Sequence, residues 1–275
     1  MRFILESFLI KPYVVFWGLH LMPIINSSSQ ELEQVYEWET LNIVDVTSDI
    51  NGNLYVSDDQ GTLSKFNKDG LLLLTYSGNT VSPIYSVDVS HTAKVFGFYR
   101  DLQSYLILDR NLSPLREAIL NSSFIGYATE TAFSADNNLW FFDQSDLSLK
   151  KVNLLNDKII TSIPLTLIFS DEIWDIKQIE EYQNRLYLYN SNEEVYVFDN
   201  LGNFIKKLNI KPDCNFWFEG ENLVYLQGSI IFKFNLYDNE VRKMGTLQKT
   251  NPIIKVISTN NFIYLISKNK ITAYR

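Results

Sequence analysis

Apolar residues in this chain fall into short alternating runs separated by clusters of Asn, Asp, Gly and Ser, and one such run recurs six times. It reads Asn51-Gly52-Asn53-Leu54-Tyr55-Val56 and returns as Ala93-Lys94-Val95-Phe96-Gly97-Phe98, Asn137-Asn138-Leu139-Trp140-Phe141-Phe142 and Asn184-Arg185-Leu186-Tyr187-Leu188-Tyr189. The last two copies are Glu221-Asn222-Leu223-Val224-Tyr225-Leu226 and Asn260-Asn261-Phe262-Ile263-Tyr264-Leu265. β-Branched and aromatic residues in such runs, bounded by turn formers, predict β-strands. With Leu54, Val95, Leu139, Leu186, Leu223 and Phe262 as markers, the spacings are 41, 44, 47, 37 and 39 residues. Each unit is then about as long as one four-stranded propeller blade.

A second ladder of apolar residues follows the first at offsets of 12, 13, 13, 12, 11 and 12: Phe66, Leu108, Val152, Phe198, Phe234 and Tyr274. Five of these six are followed directly by Asn67, Asp109, Asn153, Asp199 or Asn235. A short acid or amide there can accept from its own backbone two residues on and start a hairpin turn. Each unit also has a run before its marker, such as 42–46, 85–89, 172–177 and 253–257, and one after the turn, such as 71–76, 114–119 and 203–209. Four short strands per unit predict an all-β, six-bladed β-propeller of four-stranded antiparallel blades.

The sixth unit lacks its fourth strand, because the sequence stops at Arg275, directly after the third. An unpaired edge exposes a row of backbone donors and acceptors. The segment 32–38 precedes the first unit and belongs to none, so it is expected to pair beside 271–274 and close the ring.

Composition narrows the class. The 275 residues are 46% hydrophobic and 20% charged, enough for a full core, and the 11 Gly and 7 Pro exclude collagen-like and Gly-rich linker architectures. A net charge of −8, with no basic run, argues against a nucleic-acid partner. The single cysteine, Cys214, rules out an internal disulfide and Cys-based metal sites, and is expected to be a buried small hydrophobe. Residues 1–29 differ from the rest: Arg2 and Lys11 lead into the apolar stretch 13–25, followed by Asn26-Ser27-Ser28-Ser29. That order resembles a secretory signal peptide cleaved near Ser29, with an uncleaved anchor as the alternative. The expectation is a propeller over 30–275, exported to a periplasm or the cell surface of a bacterium, monomeric, with no membrane span in the mature chain.

The stretches Gly52-Asn53-Leu54-Tyr55-Val56-Ser57-Asp58 and Phe66-Asn67-Lys68-Asp69-Gly70 resemble a blade of the NHL-type six-bladed propellers. Residues 185–202 and, more loosely, 136–152 are similar. The resemblance implies binding of proteins, peptides or sugars, and in some relatives lactone hydrolysis with a calcium ion at the channel mouth.

Candidate chemistry is sparse. His91 lies close to Asp88, but no nucleophile or oxyanion donor completes a site, and a turn histidine is the plainer reading. Asp45, Asp88 and Asp175 share a setting between apolar neighbours, and on channel-lining strands they either converge on a metal such as calcium or on a cationic ligand, or bond amides of the adjacent blade. Trp174 and Trp217 are assigned to first strands, where they stack on a ligand or serve as core, and Trp140 to a second strand. Turns between second and third strands lie on the face that carries the blade linkers. They hold Asp58, Asp59, Asp101, Asp143, Asp146, Glu193 and Glu194 against Arg100 and Lys268, a face suited to a cationic partner or simply a solvated acidic surface. Together these features favour an exported, non-catalytic binding or scaffold module that needs no cofactor. A calcium-dependent lactonase-like hydrolase and a carbohydrate-binding module are the alternatives.

Overall fold

The computed structural model describes residues 32–40, 42–79, 81–90, 93–154, 156, 158–170, 172–192, 194–247 and 252–275. The signal-like segment, His91 and Glu193 lie outside the described residues. Six four-stranded antiparallel sheets stand in a ring. Blade 1 comprises Ile43–Ser48, Leu54–Asp58, Thr62–Phe66 and Leu72–Ser77; blade 2 comprises Ser86–Asp88, Lys94–Tyr99, Ser104–Asp109 and Pro114–Ile119. Blade 3 comprises Ala128–Phe133, Leu139–Asp143, Ser148–Asn153 and Lys158–Pro164; blade 4 comprises Ile176–Tyr182, Arg185–Asn190, Glu194–Asp199 and Phe204–Leu208. Blade 5 comprises Trp217–Glu219, Asn222–Gln227, Ile230–Asn235 and Val241–Thr246; blade 6 comprises Lys255–Ser258, Ile263–Ser267 and Lys270–Tyr274, with Gln34–Glu39 as its outer strand.

The two sequence ladders are facing positions of one hairpin. Leu54 pairs with Phe66, Val95 with Leu108, Leu139 with Val152, Leu186 with Phe198 and Leu223 with Phe234. In blade 6 the register sits one residue later than expected, and Ile263, not Phe262, faces Tyr274. The amide and acid side chains after the second ladder cap the turns as their chemistry requires: Asn67 Oδ1 accepts from the Leu71 amide at 2.8 Å, Asp109 Oδ1 from Ser113 at 2.8 Å and Asp199 Oδ1 from Asn203 at 2.8 Å.

One strand lies elsewhere than the pattern suggests. The first strand of blade 4 is Ile176–Tyr182 rather than 172–177, so Trp174 and Asp175 precede it. The longest marker spacing, 47 residues, feeds an extended linker that contains the short 3-10 turn Leu165–Leu167 and carries Trp174 into the core.

The buried apolar residues form six clusters, and each is shared by two neighbouring blades. Alternation explains this: in blade 1, Leu54 and Val56 face blade 6 while Tyr55 faces blade 2. Both faces of every blade are therefore core, which is why the second strands read as nearly continuous apolar runs. Cys214 is buried between blades 5 and 6, where burial pushes its thiol up to about 12.

The N-terminal strand closes the ring. Gln34 faces Tyr274 and Trp38 faces Ile271, with a shift of register between Gln34 and Tyr36. Tyr36 and Trp38 stack at 5.7 Å, and Trp38 lies 6.1 Å from Phe66 of blade 1 and 6.4 Å from Tyr264 of blade 6. The Tyr36 and Tyr264 hydroxyls both donate to the Lys68 carbonyl in a blade 1 turn. Gly70 in that turn has a φ of +81°, and a Cβ there would meet the Trp38 indole at 3.3 Å. Closure thus joins blade 6 to blade 1 by backbone pairing and by an aromatic seam.

Deleting 32–40 is expected to abolish cooperative thermal unfolding or cause aggregation, and Trp38→Ala to cost about 2 kcal/mol of stability. Unchanged calorimetric transitions for both variants would show that closure is dispensable.

Candidate functional site

First strands line the central channel, and their register puts equivalent positions in layers. Asp45, Ser86, Glu130, Gln178 and Lys255 face the third residue beyond the marker position, and Asn215, bridged to Lys255, completes that layer. Two residues further along lie Thr47, Asp88, Ala132, Glu180, Trp217 and Ile257. A cavity of about 400 Å³ runs past both layers and is lined by all six residues of the first and by Thr47, Asp88, Glu180 and Trp217 of the second.

Most first-layer side chains tie blades together. Asp45 accepts from the Val87 amide of blade 2 at 2.8 Å and pairs with Lys255 of blade 6 at 2.8 Å, so one carboxylate joins three blades. Gln178 exchanges two hydrogen bonds with the Phe216 backbone of blade 5, both at 3.1 Å. Glu130 pairs with Arg100 of blade 2, whose Nε also donates to the Thr129 carbonyl at 2.7 Å. In the second layer, Asp88 accepts from the Phe133 amide of blade 3 at 3.1 Å. Glu181, one residue further along blade 4, reaches back to the Ser134 hydroxyl at 2.6 Å and the Trp140 indole at 2.8 Å. Low local dielectric makes such bonds strong and makes an unpaired polar group costly.

The residues singled out from the sequence separate. Asp45 and Asp88 both line the channel but in different layers, each bonded to a neighbouring blade's amide. Asp175 is not with them: it is exposed at the linker-side mouth and paired with Lys177 at 2.7 Å. Among the described residues no group of three His, Cys, Asp or Glu side chains gathers as a metal ligand set. Trp217 is half-buried on the channel wall. Trp174 is core between blades 3 and 4, packed on Phe169 at 5.5 Å and Tyr196 at 4.8 Å, and presents no face to a ligand.

The acidic face is partly neutralised. Asp143 is fully buried rather than displayed; burial pushes its carboxyl up, but bonds from Lys150, Ser145 and the Tyr127 and Gly126 amides outweigh that and hold it well below the usual range. Asp146 pairs with Lys150 at 2.6 Å and Glu194 with Lys207 at 2.9 Å. Asp58 caps its own turn, and Asp59 and Asp101 accept from the uncharged Gln60 and Tyr85 side chains, with no ion pair among the described residues.

Glu130, Glu180 and Lys255 carry much of the channel chemistry yet escape a motif search. The turn between first and second strands has five residues in blade 1 and two in blade 4, so equivalent first-strand positions lie at different distances from the marker. Only strand pairing aligns them.

No family model and no curated protein matches the chain. Among solved structures it is similar to virginiamycin B lyase from Staphylococcus aureus, at 13% identity and a TM-score of 0.59 over 84% of this chain and 80% of that one. The β-propeller domain of Swd1 from Myceliophteria thermophila is similar at 9% identity and a TM-score of 0.62, over 88% of this chain and 99% of that one. BamB from Moraxella catarrhalis is similar at 12% identity and a TM-score of 0.51, over 89% of this chain and 99% of that one. The likeness is one of fold. A lyase and propellers of other kinds share this architecture, so the activity has to be read from the chain's own residues.

Burial pushes the Glu130 and Glu180 carboxyls up to about 8, against 4.5 for an ordinary glutamate. Between those values the folded protein holds protons that the unfolded chain releases, so their contribution falls as pH rises through that window. Glu180→Gln removes one of these groups and is expected to flatten the loss of melting temperature between pH 5 and pH 8.5. Identical slopes for variant and parent would refute the assignment.

Proposed function

We propose that this protein is an exported, non-catalytic propeller that binds a protein partner through the face carrying the blade linkers. The observation that carries this reading is the apolar surface there: Val81, Ile119, Leu167 and Ile173 are 74%, 80%, 82% and 84% exposed. Isolated exposed apolar residues are ordinary, but several on one face of a disc mark an interaction surface. The opposite face also carries Ile50, Leu71, Leu201 and Tyr237, while the linker face adds Leu102, Phe124, Tyr127, Ile168 and Ile254 to the four above.

Charge selects the kind of partner. Asp58, Asp59 and Asp101 stand on the linker face with no ion pair among the described residues, so a partner that offers basic side chains around an apolar centre complements it. The non-catalytic part of the reading is supported by the bonding of the channel residues, since Asp45, Asp88, Gln178 and Glu130 are committed to neighbouring blades. The calcium-dependent hydrolase has no triad of clustered carboxylates among the described residues to support it. The signal-like order of residues 1–29 is what supports export.

A photo-crosslinking residue placed at Ile119 or Ile173 in the native host is expected to give a discrete adduct that weakens with salt, and none when placed at Leu201. The same adduct pattern at all three sites would overturn the reading. Intact-mass analysis of the exported protein is expected to find a chain that begins near Gln30, and a full-length chain would remove the cleaved signal.

A further inference from the structure

The cations of the channel wall are already engaged. Arg100 pairs with Glu130, Lys177 with Asp175 and Lys255 with Asp45, while Arg110 donates to the Val89 carbonyl at 3.1 Å. Two wall acids have no cation in ion-pair reach among the described residues. Asp88 is held by the Ser90 amide at 2.8 Å and the Phe133 amide at 3.1 Å, and Glu180 by the Gln178 side-chain amide at 2.8 Å. These acids share one layer of the channel, on blades 2 and 4, and Trp217 of blade 5 belongs to the same layer. Thr131, 3% exposed and also at the cavity wall, has a hydroxyl with no hydrogen-bond partner among the described residues.

A carboxylate withdrawn from water without a counter-charge is costly, and Asp88 and Glu180, both half-buried at the cavity wall, have none among the described residues, so the cavity favours a cation. We propose that the channel binds a small organic cation, an ammonium or guanidinium on an apolar body, with its charge between Glu180 and Asp88 and its body against Trp217. The cavity of about 400 Å³ is within the range of small-molecule sites. An indole is the best of the aromatic faces for a cation. A bare calcium ion fits less well, because it needs six to eight oxygen ligands. The cavity runs from Tyr85, Arg100 and Lys177 on the linker side to Ser48, Ser90 and Tyr182 on the other, and the Asp88, Glu180 and Trp217 layer lies inside the channel beyond the first layer, so this site is tested separately from the docking face.

The site also sets its own pH dependence. Glu180 is surrounded by Asp88, Asp45, Lys255 and the Gln178 amide, with Glu130 elsewhere on the same wall. Burial pushes its carboxyl up to about 8, so it is largely neutral at pH 6 and ionised above pH 8.5. Affinity for a permanent cation should therefore rise with pH.

Benzyltrimethylammonium, whose charge does not titrate, is the probe, and benzylsulfonate and calcium chloride are the controls. Calorimetric titration of the protein at pH 8.5 is expected to give one saturable site for the ammonium and none for either control. Binding should weaken about tenfold at pH 6, and about tenfold in Glu180→Gln at pH 8.5. Trp217→Leu should weaken it several-fold. No binding of the ammonium at pH 8.5, equal binding of the sulfonate, or affinity indifferent to both pH and Glu180→Gln overturns the proposal. The pH series on the unaltered protein decides the matter if the variant does not fold.

Discussion

Neither face of a blade in this protein is made for water. Each sheet presents apolar side chains on both sides, and the six core clusters form only where one blade meets the next. A single blade would leave both faces exposed, and an open row of six would still expose two. The ring has to close, and everything else in the molecule depends on that. The closing strand Gln34–Glu39 gives the last blade its fourth strand and fills the seam to blade 1 with Tyr36 and Trp38.

Closure has a second consequence at the axis. Six first strands brought around a narrow channel crowd their polar side chains into a region where charges are poorly solvated. Most resolve this by bonding to the neighbouring blade, as Asp45 does with the Val87 amide and Lys255, and Gln178 with Phe216. The channel wall therefore acts as a structural girdle, and a ligand site there can only be built from groups the girdle leaves over. Glu180, bonded among the described residues only within its own blade, is such a group, and Asp88, although bonded to the Phe133 amide of blade 3, keeps a charge that no cation among the described residues pairs with. The outer linker face is under no such demand, which is why apolar residues such as Ile119 and Ile173 can remain exposed there.

The strands and their hairpins are legible in the chain because the signals are local. Leu54 with Phe66 and Leu186 with Phe198 can be matched by eye, since a third strand must begin a fixed distance after the second. The Asn or Asp that follows each pair announces its turn through a bond to its own backbone. The blade 4 first strand is misplaced by the same reasoning, because nothing local separates the linker 165–175 from a strand. For that reason the sequence pattern groups Asp175 and Trp174 with Asp45 and Trp217, although one is exposed at the mouth and the other is core.

Blade count, the pairing of second with third strands and the closing role of 32–38 are legible in the chain alone. Each follows from periodicity, turn chemistry or the arithmetic of a missing strand. Tertiary structure alone settles which polar residues share a layer of the channel, that Asp143 is buried on Lys150 while Asp58 and Asp59 have no ion pair among the described residues, and that Glu130, Glu180 and Lys255 line one cavity. Those residues are brought together from different blades across loops of unequal length, so no spacing in the chain encodes their meeting. What relates them is ring geometry, which exists only once Gln34–Glu39 has paired with the third strand of the last blade.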